Sequence, residues 1–325
     1  MKLDWVRLTL RLNRFELLAF GGALVVLAAA TVLSAAWVDS LRPAADCLAS
    51  RTYVGMGGPT FSNGSTAGCD GAFNAWYMAA GGPAGLGTGL LIFISFAAAA
   101  FLGVSIVARE LERGTTRLAW SMAPSRTRWF LARMVPILVV LGAVTLLAGL
   151  AVDRFIAAST QDPDLSRSFV AFGFRGLLIA SRAIFIFAVA VAVGAIVPRA
   201  LPALILTAVI AAIGLAGGER VHQMILAREA IPIPMDQMDN GTGRSGDLYL
   251  EQKFVLPDGS LVGWQYFNGS DQFDENGNPK YPMVAIVIPG ERFRFVETRE
   301  GLALAGGSLA ALVLAGFVVS RRRPG

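Results

Sequence analysis

The sequence predicts an all-α polytopic membrane protein. It should have six transmembrane helices with both termini cytoplasmic, an amphipathic N-terminal helix, and a small extracellular α+β insertion between helices 5 and 6. Three observations carry this prediction. The 325 residues are 54% hydrophobic and only 16% charged, with a mean hydropathy of +0.57, whereas soluble domains are about one quarter charged. Six stretches are apolar over enough residues to cross about 30 Å of hydrocarbon. Half of the chain's 28 Lys and Arg fall in short segments that a single orientation keeps on the cytoplasmic side.

Residues 1–16 place Trp5, Leu8, Leu12 and Phe15 at helical spacing, with Arg7, Arg11 and Arg14 on another face. This pattern predicts an interfacial helix along the inner leaflet; a plain cytoplasmic extension of the first span is the alternative. Residues 17–218 hold the first five spans, Leu17–Val38, Ala84–Ala108, Met134–Val152, Gly176–Val197 and Ala200–Gly218. Leu33-Ser-Ala-Ala36 resembles a cleavage site, but the apolar core before it is longer than a signal peptide's, so the segment is expected to be retained.

The outer loop 39–83 is Gly- and Ser-rich and contains both cysteines, Cys47 and Cys69. On the outer side a disulfide is expected, with two free buried thiols as the alternative. A cysteine pair without His or further Cys nearby is poor metal chemistry. Gly82-Pro-Ala-Gly-Leu-Gly-Thr-Gly89 invites comparison with a phosphate-binding loop. It lacks the required lysine and follows no predicted strand, so a flexible helix start is the better assignment and any ATP must bind a partner.

The external piece 219–300 carries a hairpin signal. Leu248–Leu256 and Leu261–Phe267 alternate in polarity around Pro257-Asp-Gly-Ser260. Met283–Ile288 is a candidate third strand. Residues 301–325 then hold the sixth span, Gly301–Ser320, and a basic tail.

The net charge of +5 does not signal nucleic-acid binding, because the arginines flank apolar spans and no aromatic-basic recognition motif occurs. No catalytic Ser-His-Asp, Cys-His or paired-carboxylate set stands out, so the chain is expected to be a non-catalytic subunit without its own cofactor or metal. His222, the single histidine, has Glu219 and Glu229 nearby but no closing ligand set, and is expected to be a polar interface residue. Asp236, Asp239, Asp271, Asp274 and Glu275 lie in turn-rich sequence; solvated loop charge is the default and weak calcium binding a minor option. Arg175 and Arg182 are seven residues apart, hence on nearly one face of the fourth helix. A charge at Arg182's depth must pair, snorkel or face a wet cavity. It either pairs with an acid such as Asp153 or Glu219, or contacts an anionic substrate or lipid headgroup.

The cytoplasmic loop 109–133 alternates Glu110, Glu112, Arg113, Arg117, Arg126, Arg128 and Arg133 with Leu111, Leu118, Trp120, Met122 and Trp129. Gly114 and Pro124 should divide it into short helices. Aromatic anchors rimmed by arginine suit a protein interface; a solvated basic loop held to anionic lipid is the alternative.

At these residues the chain resembles ABC-2 type permeases, the membrane subunits of ATP-binding-cassette exporters. Ala108-Arg-Glu-Leu-Glu-Arg-Gly-Thr-Thr-Arg-Leu-Ala-Trp120 and Ser125-Arg-Thr-Arg-Trp129 are similar to the loop after the second span in actinobacterial-type members. Val197-Pro-Arg-Ala-Leu-Pro202 and Gly290-Glu-Arg-Phe-Arg-Phe-Val-Glu297 agree as well. The resemblance implies a G-type (type V) exporter half in a bacterial plasma membrane. Two permeases, identical or paralogous, would pair, each docking an ABC ATPase subunit that binds ATP and Mg, for two ATPase copies in all. Glu112, Gly114, Thr115, Leu118, Trp120 and Arg126 would then form the ATPase-coupling segment, and drugs, lipids or peptides are the substrate classes. The external piece is longer than in minimal members. The rival function is a non-transporting membrane scaffold or sensor with a ligand-binding ectodomain; an intramembrane enzyme ranks last.

Overall fold

The computed structural model describes residues 10–11, 13–49, 51–53, 59–61, 67–114, 125–161, 164–235, 246–267, 272–274 and 279–322. The elements run α1 (Arg14–Ser40), α2 (Ala45–Ala49), β1 (Arg51–Tyr53), β2 (Pro59–Phe61), α3 (Ala67–Gly81), α4 (Pro83–Glu112), α5 (Arg126–Ser159), α6 (Gly176–Ile196), α7 (Ala200–Glu229), β3 (Ile231–Pro234), β4 (Leu248–Val255), β5 (Leu261–Val262), β6 (Met283–Ile288) and α8 (Phe293–Arg321). Among the described residues six helices are long and apolar enough to cross a membrane.

Local chemistry sets the helix limits. Pro83 opens α4 in the first turn, where its missing N–H leaves no bond unmade. Ser125 caps α5, its hydroxyl accepting from the Arg128 N–H at 3.2 Å. Pro198 closes α6, since the residue before a proline is pushed out of helical backbone. Five of the six long helices outrun the apolar windows that predicted them, three of them by two turns or more: α5 begins at Arg126, α7 continues to Glu229 and α8 begins at Phe293. Hydropathy marks only the part suited to hydrocarbon, while backbone hydrogen bonding carries a helix on through polar sequence.

The bundle is built around α6, which packs against α4, α5, α7 and α8; α1 lies against α4 and α5. At Gly103 a Cβ would stand 2.5 Å from the Ala190 Cβ and 2.7 Å from the Phe187 carbonyl oxygen. Only glycine admits that approach of α4 to α6, the packing mode usual where apolar solvent removes the hydrophobic drive. The long helices alternate in direction. The bundle therefore has one basic end, at the α4–α5 connection, and one sheet end.

The segment 39–83 is not a plain loop. A disulfide joins Cys47 to Cys69 with the Cα atoms 5.4 Å apart, and α3 packs Phe73 and Trp76 against Val38, Phe155 and Ala158. The Trp76 indole N–H donates to the Ala158 carbonyl at 3.0 Å. Arg42 donates to the Ala157 carbonyl at 2.5 Å, so this segment closes over the ends of α1 and α5. The composition concealed α3 because its glycines and alanines gain their helical stability from that packing.

Between α7 and α8 stands a four-stranded antiparallel sheet in the order β3-β6-β4-β5. The anticipated third strand, β6, is central, and β3 adds an edge that the sequence pattern did not predict. In the hairpin turn Gly259 takes φ +80°, and Asp258 accepts from the Ser260 N–H at 2.9 Å and from its hydroxyl at 2.7 Å. Those bonds, the backbone one foremost, hold the Asp258 carboxyl below its ordinary pKa. The second hairpin strand is only Leu261–Val262. Trp264 and Phe267 instead fold back edge-on against the buried Phe254 ring, at 4.8 and 5.0 Å, and aromatic packing displaces strand continuation. Trp5, Arg7, Leu8 and Leu12 of the anticipated interfacial helix lie outside the described residues.

Candidate functional site

At the basic end, charged side chains bind helix termini together. Arg109, near the end of α4, pairs with Glu16 on α1 and lies 4.8 Å over the Phe101 ring. Glu110 accepts from Arg133 at 2.7 Å. The Glu112 carboxylate accepts from the Ala200 N–H at 3.1 Å. It thus sits on the first turn of α7, where unpaired N–H groups and the helix dipole favour an anion. Arg126 does the converse job, donating to the Ser320 and Arg322 carbonyls at 3.2 and 2.5 Å at the end of α8. Arg322 in turn donates to Ala195 at the end of α6, at 2.5 Å. Both flanks of the α4–α5 connection are therefore wired to other helices.

At the sheet end, charges are buried. Arg175 precedes α6 in extended backbone, φ −144° and ψ 167°, so it does not share the helical face of Arg182. Its guanidinium donates to the Ser168 carbonyl, and to that of Leu165 at 3.0 Å, and lies 4.4 Å over Phe293. Burial lowers its pKa, and the Asp153 carboxylate opposes that shift. Arg182 donates through Nε and Nη2 to one Glu300 oxygen at 3.2 and 2.7 Å and stands 3.8 Å from Glu219. Its guanidinium lies 5.2 Å from the Phe174 centroid. Arg299 bonds Glu229 at 2.6 Å. His222 is 8% exposed and stacks on Phe172 at 5.4 Å, and its Nε2 has no hydrogen-bond partner.

A cavity of about 360 Å³ lies between α6, α7 and α8, lined by Arg182, Phe185, Glu219, His222, Arg299 and Glu300 among others; Arg175 and Glu229 do not reach it. A second cavity, about 340 Å³ between α1 and α5, has only apolar walls and no group to orient a ligand. Among the described residues no group of three or more His, Cys, Asp or Glu side chains could hold a metal ion.

The model of the family described as ABC-2 membrane transporter related matches residues 21–218, from within α1 to midway along α7. The chain belongs to that family. No curated protein and no solved structure matches it. As an ABC-2 family member it is a multi-pass membrane protein of permease type, and permeases of this family generally work with an ABC ATPase.

Of this permease's residues singled out by sequence, Glu112 and Arg126 occupy the helix-end contacts above. Gly114 ends α4 with φ +68°, backbone that favours glycine. Thr115, Leu118 and Trp120 lie outside the described residues, as do Arg117, Met122, Asp236, Asp239, Asp271, Glu275 and Arg323. Arg182 meets Glu219, as one alternative had it, but its nearer partner is Glu300, which sequence reasoning passed over. The two are 118 positions apart, and no local pattern links them. Glu16 escaped notice for the same reason. The family match stops at Gly218, short of Glu219, His222 and Glu300.

Proposed function

We propose that the chain is the membrane subunit of an ABC exporter, with 109–133 as the cytoplasmic segment that docks a separate ATPase and the sheet on the outer side. The observation that carries this is the Glu112–Ala200 contact, on a chain whose family works with such ATPases. A docked ATPase that shifts the loop pulls directly on the N-terminus of α7, and α7 walls the 360 Å³ cavity at its other end. ATP binds the partner, with Mg, and this chain contributes no catalytic group or cofactor of its own. Two permease copies and two ATPases would form the working unit in a bacterial plasma membrane, of G-type (type V) architecture, with both permease termini inside.

Energy transfer requires that ATP favour one of two states and that the loop contact differ between them. Glu112→Gln keeps the shape of the contact and removes its charge; Trp120→Ala removes an aromatic anchor. In vesicles holding permease and ATPase, both variants should hydrolyse ATP while transporting little. Wild-type coupling in both would refute the assignment. Absence of any ATPase from native-membrane complexes would instead favour the scaffold or sensor function.

A further inference from the structure

We propose that the docking loop drives two helices, α7 from its first flank and α8 from its second, with Arg322 as the positioning residue on the α8 side. A shift between the flanks then changes the width of the groove between α7 and α8. This rests on the permease function above and names how that site transmits. Among the described residues α7 and α8 both pack on α6 and share no packed interface of their own. Each is held by one flank instead. On the α4 side Val104 and Ala108 lie in one buried cluster with Ala203, and Glu112 accepts from the Ala200 N–H. On the α5 side Phe130 is buried with Ala315 and Val319, and a Cβ at Gly316 would stand 3.8 Å from its ring. There Arg126 donates to the Ser320 and Arg322 carbonyls.

Arg322 makes the second link firm. Its guanidinium donates to the Ala195 carbonyl at the end of α6, at 2.5 Å. That bond sets the place of its own carbonyl, which Arg126 reaches at 2.5 Å. The last carbonyls of a helix have no partner within it, so a cation fastens such an end without breaking helical bonds. Glu110 and Arg133 latch the two flanks to each other at 2.7 Å. At the far end the two helices are joined. Arg299 on α8 pairs with Glu229 on α7 at 2.6 Å, and β3, which follows α7, pairs with β6, which precedes α8. The sheet end is thus the hinge and the loop holds the free arms. At 1.5 Å per residue, Ala200 to Gly214 spans about 21 Å and Ser320 to Leu304 about 24 Å. Both runs end on the cavity wall, so each arm carries a displacement from the loop to the groove.

The test uses the full-length chain with the ATPase that co-purifies from native membranes. Gly218→Cys carries a bimane fluorophore, and Ala303→Trp across the groove quenches it. Cys47 and Cys69 are already joined, and a Cβ at Gly218 meets nothing within 4 Å. ATP with orthovanadate should change the quenching that depends on Ala303→Trp. Arg126→Ala and Arg322→Ala should lose most of that change while ATP hydrolysis continues. Arg322→Lys, which still reaches the Ala195 carbonyl, should restore it. The melting temperature of Arg322→Ala should stay near that of the parent chain, which a residue that merely held the fold would not allow. A nucleotide-independent signal beside active hydrolysis, or an undiminished change in the alanine variants, overturns the proposal and leaves the permease standing. If one variant sheds the ATPase or fails to fold, the other decides alone. If no ATPase accompanies the chain, the permease function itself falls, and this proposal with it.

Discussion

The two ends of the bundle are held by different mixtures of contact. At the basic end a side chain usually meets backbone: Glu112 on the Ala200 N–H, Arg126 on the carbonyls of Ser320 and Arg322, and Arg322 on that of Ala195. These contacts satisfy groups that every helix terminus leaves open, and those at Ala200 and Ser320 are exposed to solvent. At the sheet end the Arg182–Glu300 pair crosses between helices with side chains only 10% and 13% exposed, more buried than the Arg109–Glu16 and Arg133–Glu110 pairs of the basic end. A disulfide and a helix cover the neighbouring ends of α1 and α5. Solvated contacts are cheap to break and remake, whereas a buried charge that loses its partner is strongly destabilising. The basic end is therefore suited to movement and the sheet end to holding shape.

The sharpest way to break that contrast is at Arg182. Glu300→Gln should lower stability by about 3–5 kcal/mol, because it leaves the Arg182 guanidinium buried beside a neutral amide. Thermal unfolding in detergent measures this, and Arg182→Met combined with Glu300→Leu should recover most of the loss. A loss as small as that of an exposed pair would show that the sheet end is wet. Next comes the disulfide. Replacing Cys47 and Cys69 together by Ser should lower stability by about 3 kcal/mol, from loop closure across a separation of 22 residues, as read from unfolding with and without reductant.

Trp76→Phe keeps the ring but removes the bond to Ala158. It should cost about 1 kcal/mol and leave basic-end function untouched, which a comparison of melting temperature with coupled transport would check. The smallest stability effect belongs to Arg126→Ala, about 0.5 kcal/mol, the usual value of a cation at a solvated helix C-terminus. Its effect on coupling should be larger than on melting. The reverse ranking, a large loss of stability with normal coupling, would make the basic end a clamp.

Much of this was legible in the residues. The apolar runs located all six long helices, because hydrocarbon solvation is a local, roughly additive property of each residue. Pro257-Asp-Gly-Ser260 announced its hairpin through turn chemistry. Arg182 was marked as a charge needing a partner, since its depth in an apolar run could be counted along one helix. The identity of that partner was not legible, and neither was α3, whose small residues carry no strong periodic signal of their own.

The sequence by itself determined the membrane class, the number of spans, the crowding of arginine about 109–133 and the two cysteines available for pairing. Each follows from composition or from spacing within one segment. Only the tertiary structure decided that Glu300 answers Arg182 across 118 positions, that Glu112 reaches the start of α7 across 88, and that a cavity remains between α6, α7 and α8. Those facts depend on which helix faces meet once the connections close. Neither residue type nor periodicity encodes that choice separately from the packing of the whole bundle.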